Sequence, residues 1–214
     1  FRSVVANRAA DAVVVENEIR SNYPLSLTFR LGLAADTAVD TVALIFSTDQ
    51  RNCAESSARH PVEVKTGTTL TAEWKLEFKR AAPLPPGATL FWEWEIRLKD
   101  GTITRTPRRT YTLVDERLTW HTLSRGDVSV NWSQGDNSFG QFLLDQTVAA
   151  LANASRLYGV TMSTPTRVWI YPDAKYLDDI LWTAPDWTGG VALPDSGASL
   201  ISIAPSQREW AKNV

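Results

Sequence analysis

Proton transfer or metal binding by imidazole has only His60 and His121 to draw on, and they lie in different halves of the chain. There is no His-Glu-x-x-His, no His-x-His and no cysteine cluster, so a zinc site of the usual kind cannot be assembled from this sequence. Cys53 is the single cysteine, which excludes an intramolecular disulfide. A thiol nucleophile needs a positioned base. His60 lies seven residues on, but nothing in the sequence brings the two together, and Cys53 reads as a free loop thiol. There is no Gly-x-Ser-x-Gly elbow and no glycine-rich phosphate loop; Gly189-Gly190 reads as a turn or strand start. Asp173, Asp178 and Asp179 lack the alternating oxygens and glycine of a calcium loop. Asp173 reads as a helix N-cap, and Asp178 and Asp179 as solvated helix surface. Arg105, Arg108 and Arg109 read as a solvated strand face. The expectation is a chain with no catalytic residue, no metal ligand and no cofactor of its own.

The totals narrow the class. The 214 residues are 43% hydrophobic and 21% charged, which is globular composition. Twenty-two basic and 24 acidic side chains leave a net charge of −2, with a pI near 5.7, against a nucleic-acid footprint. No apolar run approaches the roughly 18 residues that span a bilayer. Phe1-Arg2-Ser3 carries no signal-peptide pattern, so any export signal is expected to have been removed. Nine tryptophans is a high count for this length. Core packing is the default use for them; a sugar-binding aromatic strip through Trp74, Trp92 and Trp94 is the alternative.

The elements that would hold any site change character midway. Up to about Asp115 the chain reads as strands: 12–19, 25–33, 39–48, 70–78, 89–98 and 102–114. Leu90, Trp92, Trp94, Ile96 and Leu98 alternate with polar residues, as a half-buried strand requires. Asp100-Gly101 supplies a hairpin turn, and Pro83-Leu84-Pro85-Pro86-Gly87 a rigid connection. These features predict an immunoglobulin- or fibronectin-like β-sandwich over residues 1–115. Residues 116–214 read as a small α/β domain. A strand over 127–132 precedes a helix capped by Ser138 and Gln141, with an apolar stripe of Phe139, Leu143, Ala150, Ala154 and Leu157 and a stop at Gly159. A strand over 167–171 leads to a second helix after Asp173, with Tyr176, Leu177 and Ile180 inward. Strands over 190–193 and 199–203 flank the turn at Pro194-Asp195-Ser196-Gly197. Ser206 and Glu209 form a further capping box, with Trp210 and Val214 on one face of the helix it opens. A helix so short is marginal alone, so the natural chain is expected to continue past Val214.

The second half, from about Thr119, resembles the N-terminal lobe of bacterial peptidase MA-like proteins, which are gluzincin metallopeptidases. The residues that carry this are Asp127–Trp132, Gly135-Asp136 before the Phe139 helix, Arg167–Pro172, Ala184–Ala192, Ile201–Pro205 and Glu209-Trp210. Leu84–Gly87 and Phe91-Trp92-Glu93-Trp94 look like the sandwich that precedes this lobe in such proteins. The resemblance implies an exported, extracytoplasmic protein. It implies zinc only if the chain continues into a helix bearing His-Glu-x-x-His, where two histidines one turn apart hold the metal and the glutamate activates its water. No catalytic position can be carried over onto this sequence. One role can: Ser199, Leu200, Ile201, Ser202 and Ile203 match the lobe's edge strand, which pairs with an extended peptide. A non-catalytic structural or binding subunit, docked through protein contacts on a larger extracytoplasmic or membrane-associated assembly, is the rival reading.

Overall fold

Period-two alternation of apolar side chains builds most of this molecule, seen in a computed structural model that describes residues 12–49, 57–78, 84–159, 164–181 and 189–209. Nine strands make up its first part: β1 (Val14–Asn22), β2 (Ser26–Ala34), β3 (Val39–Thr48), β4 (Ala58–Val62), β5 (Val64–Lys65), β6 (Thr69–Glu77), β7 (Thr89–Leu98), β8 (Ile103–Arg105) and β9 (Arg109–Thr112). One antiparallel sheet runs β1-β2-β6-β5. The other runs β4-β3-β7, with β8 and β9 sharing the far flank of β7. The two face each other through Leu27, Phe29, Leu31 and Leu33 on one side and Val42, Leu44, Leu90, Trp92, Trp94 and Ile96 on the other. Phe29 meets Phe46 and Trp92 at centroid distances of 5.7 and 6.0 Å. This is sheet-on-sheet packing about a common apolar layer.

The expected hairpin is present. Gly101 takes φ 88° and the Thr102 N–H donates to Asp100 Oδ1 at 2.8 Å. The single return strand expected over 102–114 is broken into β8 and β9 at Thr106-Pro107-Arg108. The Thr106 hydroxyl accepts from the Trp94 N–H at 3.0 Å, and Pro107 has no N–H for the ladder. The Cys53 loop reading and part of the proline-rich connection fall outside the described residues.

A third sheet follows, built from β10 (His121–Arg125), β11 (Val128–Trp132), β12 (Thr166–Tyr171), β13 (Gly190–Leu193) and β14 (Ala198–Ser202) in the order β10-β11-β12-β14-β13. Pairs β11–β12 and β12–β14 are parallel, while β10 and β13 run antiparallel on the two flanks. The helix α1 (Asn137–Tyr158) joins β11 to β12, and α2 (Lys175–Asp178) follows β12. The α1 cap is Asp136 rather than Ser138: Asp136 Oδ1 accepts from the Phe139 N–H at 2.9 Å and from the Ser138 hydroxyl at 2.7 Å. Ser138 lies inside the helix, two residues past the cap, and Asp136 stands three residues before the Phe139 amide, the position a capping side chain bonds. Gly159, at φ 64°, ends the helix as expected.

Alternation along β12 and β14 splits this sheet between two environments. Val130, Trp132, Val168 and Ile170 face α1 with Phe139, Phe142, Leu143 and Leu144. Trp169, Tyr171 and Leu200 face the other way and join Leu177, Ile180 and Leu181 to the sandwich's own buried cluster. The apolar interior therefore runs without interruption from the sandwich into the third sheet.

Candidate functional site

The margin of the third sheet offers the most chemistry. The stretch Ser199–Ile203 lies in β14 and just beyond it, and β14 is not an edge. It pairs with β12 on one side and with β13 on the other. Leu200 is fully buried, Ile203 nearly so, and the Ser202 N–H donates to the Gly189 carbonyl at 2.8 Å. A peptide cannot add to a strand whose two sides are both occupied, so the edge-strand reading of Ser199, Leu200, Ile201, Ser202 and Ile203 is corrected. The turn at Pro194–Ser196 folds β13 back outside β14. Its tight return depends on Gly197, at φ 62°, where a Cβ would stand 2.4 Å from the Pro165 carbonyl oxygen.

Among the described residues β13 is one of the sheet's two margins, β10 being the other. The Ser202-to-Gly189 bond fixes the ladder's phase, because hydrogen-bonded and non-bonded pairs alternate in antiparallel sheets. Gly190 and Ala192 are the non-bonded positions, so their N–H and C=O groups point away from β14. Both are exposed and small, while Val191 and Leu193 turn inward onto the main apolar cluster. The face carrying Gly190 and Ala192 continues across Ser199 and Ile201 to Thr166, Val168 and Ile170, with α1 as its wall. There a groove of ≈ 320 Å³ opens, lined also by Leu143, Gln146, Thr147, Ala150 and Leu151.

On the opposite face a polar joint ties the sheet to the sandwich. Asp115 is fully buried. It accepts from Arg117 Nε and Nη2 at 2.8 and 2.7 Å and from the Tyr171 hydroxyl at 3.1 Å. Its carbonyl accepts from Trp120 Nε1 at 2.9 Å. Burial, the neighbouring Tyr23 and the Asp115 carboxylate all push the Tyr171 phenol upward, so it stays a neutral donor. Burial works against the Arg117 charge, but hydrogen bonding to and attraction by Asp115 outweigh it and raise its pKa. Arg117 Nη1 also reaches Asp179 at 2.6 Å. Arg167 spans the same seam, donating from Nη1 to the Gly87 carbonyl and from Nη2 to the Ser196 carbonyl at 2.7 Å. These groups are engaged with one another, and the joint is architecture rather than a reaction centre.

The remaining sequence candidates disperse. His60 stacks on Trp74 at 4.3 Å and on Phe46 at 5.4 Å, while His121 lies over Trp132 in the third sheet. Among the described residues no three His, Cys, Asp or Glu side chains converge to hold a metal ion. Arg105 pairs with Glu93 and Glu95, Arg59 with Glu95, and Arg109 donates to the Asn17 carbonyl. Arg108 donates to the Ser47 hydroxyl and lies over the Phe91 ring, so all three arginines of the cluster are engaged within the sandwich. Trp92 and Trp94 are buried in the sandwich and Trp74 lies within an aromatic stack, so these three do not form an exposed sugar-binding strip. Reading from sequence missed β4 and β5, the polar and mostly exposed β10, and the position of β13 at a margin, whose four residues carry no edge signature. No described helix is long and apolar enough to cross a membrane.

No family model matches the chain, and no curated relative does either. Among solved structures, a bromine derivative of BhCBM56 aligns at 18% identity over 45% of this chain and 89% of its own, with a TM-score of 0.34. Purple acid phosphatase PPD1 from yellow lupin aligns at 8% identity over 92% of this chain and 36% of its own, with a TM-score of 0.37. BC0361, a polysaccharide deacetylase from Bacillus cereus, aligns at 8% over 83% and 57%, with a TM-score of 0.36. The chain spans about a third and just over half of the last two proteins' lengths. Similarities this loose do not define a shared fold.

Proposed function

We propose that this chain is the front portion of an exported, peptidase MA-like protein: an immunoglobulin-like sandwich over 1–115 followed by a gluzincin-like α/β lobe over 116–214. It contributes no catalytic group. Its part is to present an extended peptide with a strand edge. The observation that supports this reading is the margin at β13, where Gly190 and Ala192 turn backbone groups away from β14, unpaired among the described residues, and carry no side chain large enough to obstruct a neighbour. Main-chain pairing at such a margin takes peptides with little regard to sequence.

The test is to read the gene past the codon for Val214 and to measure the metal content of its full-length product. A continuation into His-Glu-x-x-His, one zinc per chain and peptide cleavage by the full product alone are expected. A natural chain that stops at Val214, or continues without the paired histidines, overturns the peptidase reading. The second reading is a non-catalytic extracytoplasmic subunit that docks on a larger assembly. It is favoured by Leu157 and Tyr158 at the end of α1, which are 65% and 75% exposed. Association of the full product with a protein partner, in the absence of bound zinc, is its signature.

A further inference from the structure

The strands of the sandwich finish differently at their two ends. At one end the third sheet covers them. Trp169, Tyr171 and Leu200 join Leu84, Ala88 and Leu113 in one buried cluster, and Arg167 reaches Asp49 at 3.6 Å. At the other end β2 passes to β3, β4 to β5 and β7 to β8. There the described residues leave a cavity of ≈ 670 Å³ between the two sheets. Val39, Val42 and Val62 wall it from one sheet, Val64 and Leu70 from the other. Val42 is buried, and the other four are partly covered and pack on the main apolar cluster. The cavity is thus an opening onto the sandwich's own interior, and its size is that of a small-molecule site.

Three charged residues line it as well. Asp40 is the extra residue of a β-bulge: Val39 pairs with Leu98 and Thr41 with Arg97, which leaves Asp40 no partner in β7. Such a bulge re-aims the side chain it carries. Glu63 stands where the chain leaves β4 in one sheet for β5 in the other. Lys99 follows β7, and its N–H donates to the Ala38 carbonyl at 2.8 Å. All three are exposed. Among the described residues none of their side chains enters an ion pair or a hydrogen bond, whereas Glu16, Glu73, Glu93 and Glu95 are all matched with arginine. Two carboxylates against one ammonium give the mouth a negative balance.

We propose that this cavity binds small aliphatic amines. The hydrocarbon chain enters between the sheets, and the single ammonium stays at the mouth beside Asp40 and Glu63. The apolar wall carries the proposal, because burial of methylenes supplies most of the affinity of such a ligand. An exposed ion pair adds little, and it fixes which end of the molecule goes in. The site lies at the end of the sandwich away from the third sheet and requires neither zinc nor peptide, so it stands apart from the peptidase reading.

Heteronuclear NMR titration of the full chain tests it, with butyl-, hexyl- and octylammonium as probes and hexanoate as the matched anion. Saturable shifts are expected at the amides of residues 39–42, 62–66 and 99. Each buried methylene contributes about 0.8 kcal/mol, or about fourfold in affinity, so the dissociation constant should fall about fifteenfold from butyl- to hexylammonium. Hexanoate should bind at least about threefold more weakly than hexylammonium, and Asp40→Asn with Glu63→Gln should remove most of that difference. An affinity that does not change with chain length makes the contact a surface ion pair and overturns the proposal. Shifts spread outside the cavity overturn it too, as does hexanoate binding as tightly as hexylammonium.

Discussion

Gly140 closes the first turn of α1, directly against Trp132. A Cβ built there would stand 2.3, 2.4 and 2.7 Å from three carbons of the indole ring. Ordinary contact begins near 3.4 Å, so Gly140→Ala must move the helix or the ring by about 1 Å. Neither is free to move: Trp132 is 1% exposed, and Phe139, Phe142 and Leu143 hold the same turn onto the same sheet. In an unencumbered helix the substitution would stabilise by about 1 kcal/mol. Overpacking a fixed core costs about 1–3 kcal/mol and occasionally more. With both partners pinned, the steric cost wins, and a net loss of about 1–2 kcal/mol is expected. For a chain of this size that lowers the Tm by about 2–8 °C, at about 2–4 °C per kcal/mol. The assay is thermal unfolding by circular dichroism, with Trp132→Leu as the second arm of a double-mutant cycle. The penalty of Gly140→Ala should shrink or reverse once the indole is gone. A Tm for Gly140→Ala equal to or above that of the parent refutes the reasoning, because helix propensity would then have decided the sign.

Arg117→Met leaves Asp115 buried without its cation and should cost about 3 kcal/mol, the low end for breaking a buried pair because Arg117 is partly solvated; urea unfolding measures it, and a loss below 1 kcal/mol would discount the joint. Asp136 is held below the usual carboxylate range by the Ser138 hydroxyl first and the Phe139 N–H second. A lowered folded pKa contributes stability that is complete above the unfolded value near ~3.9 and lost as pH falls through the folded one. Asp136→Asn, which still caps, should therefore flatten the fall of Tm between about pH 5 and pH 2; parallel Tm profiles would contradict this. Ala192→Pro removes an outward N–H without touching the β13–β14 ladder, so calorimetric binding of an extended peptide should weaken while Tm changes little. Unchanged binding would remove the margin from the proposed function.

Strands were legible where apolar side chains alternate or run together over many residues, and the short, mostly exposed β4 and β5 were not. Leu90 through Leu98 announced β7 because period-two alternation reports burial on one side directly, whereas β3 was read from its apolar run Val42–Phe46, of which Val42, Ala43 and Leu44 are buried in succession. β10 gave no such signal: His121–Arg125 is polar and nearly all exposed, and it exists because β11 offers it a partner. The order of strands in the third sheet was not legible either. Which of two neighbouring apolar runs lies inside depends on a turn folding outward at Gly197, a tertiary choice with no local signature. The apolar stripe of α1 predicted burial to Leu157, but only its first two turns are covered, because a periodic pattern states which face is apolar and not what lies against it. Trp92 and Trp94 illustrate the converse. Their alternation placed both on one face, and the packing of the opposite sheet decided that the face is dry.

The unbroken apolar interior and the Asp115 clasp also bear on how this molecule moves. An ordinary linker lets two modules tumble separately, each with its own rotational correlation time. Here the seam is closed by Trp169 and Leu200 on one side, Leu84 and Ala88 on the other, with Arg167 bridging Gly87 to Ser196. Both parts should therefore reorient in solution as a single rigid rotor. Torque applied to the sandwich reaches the β13 margin without slack, so whatever anchors the first part also aims the second.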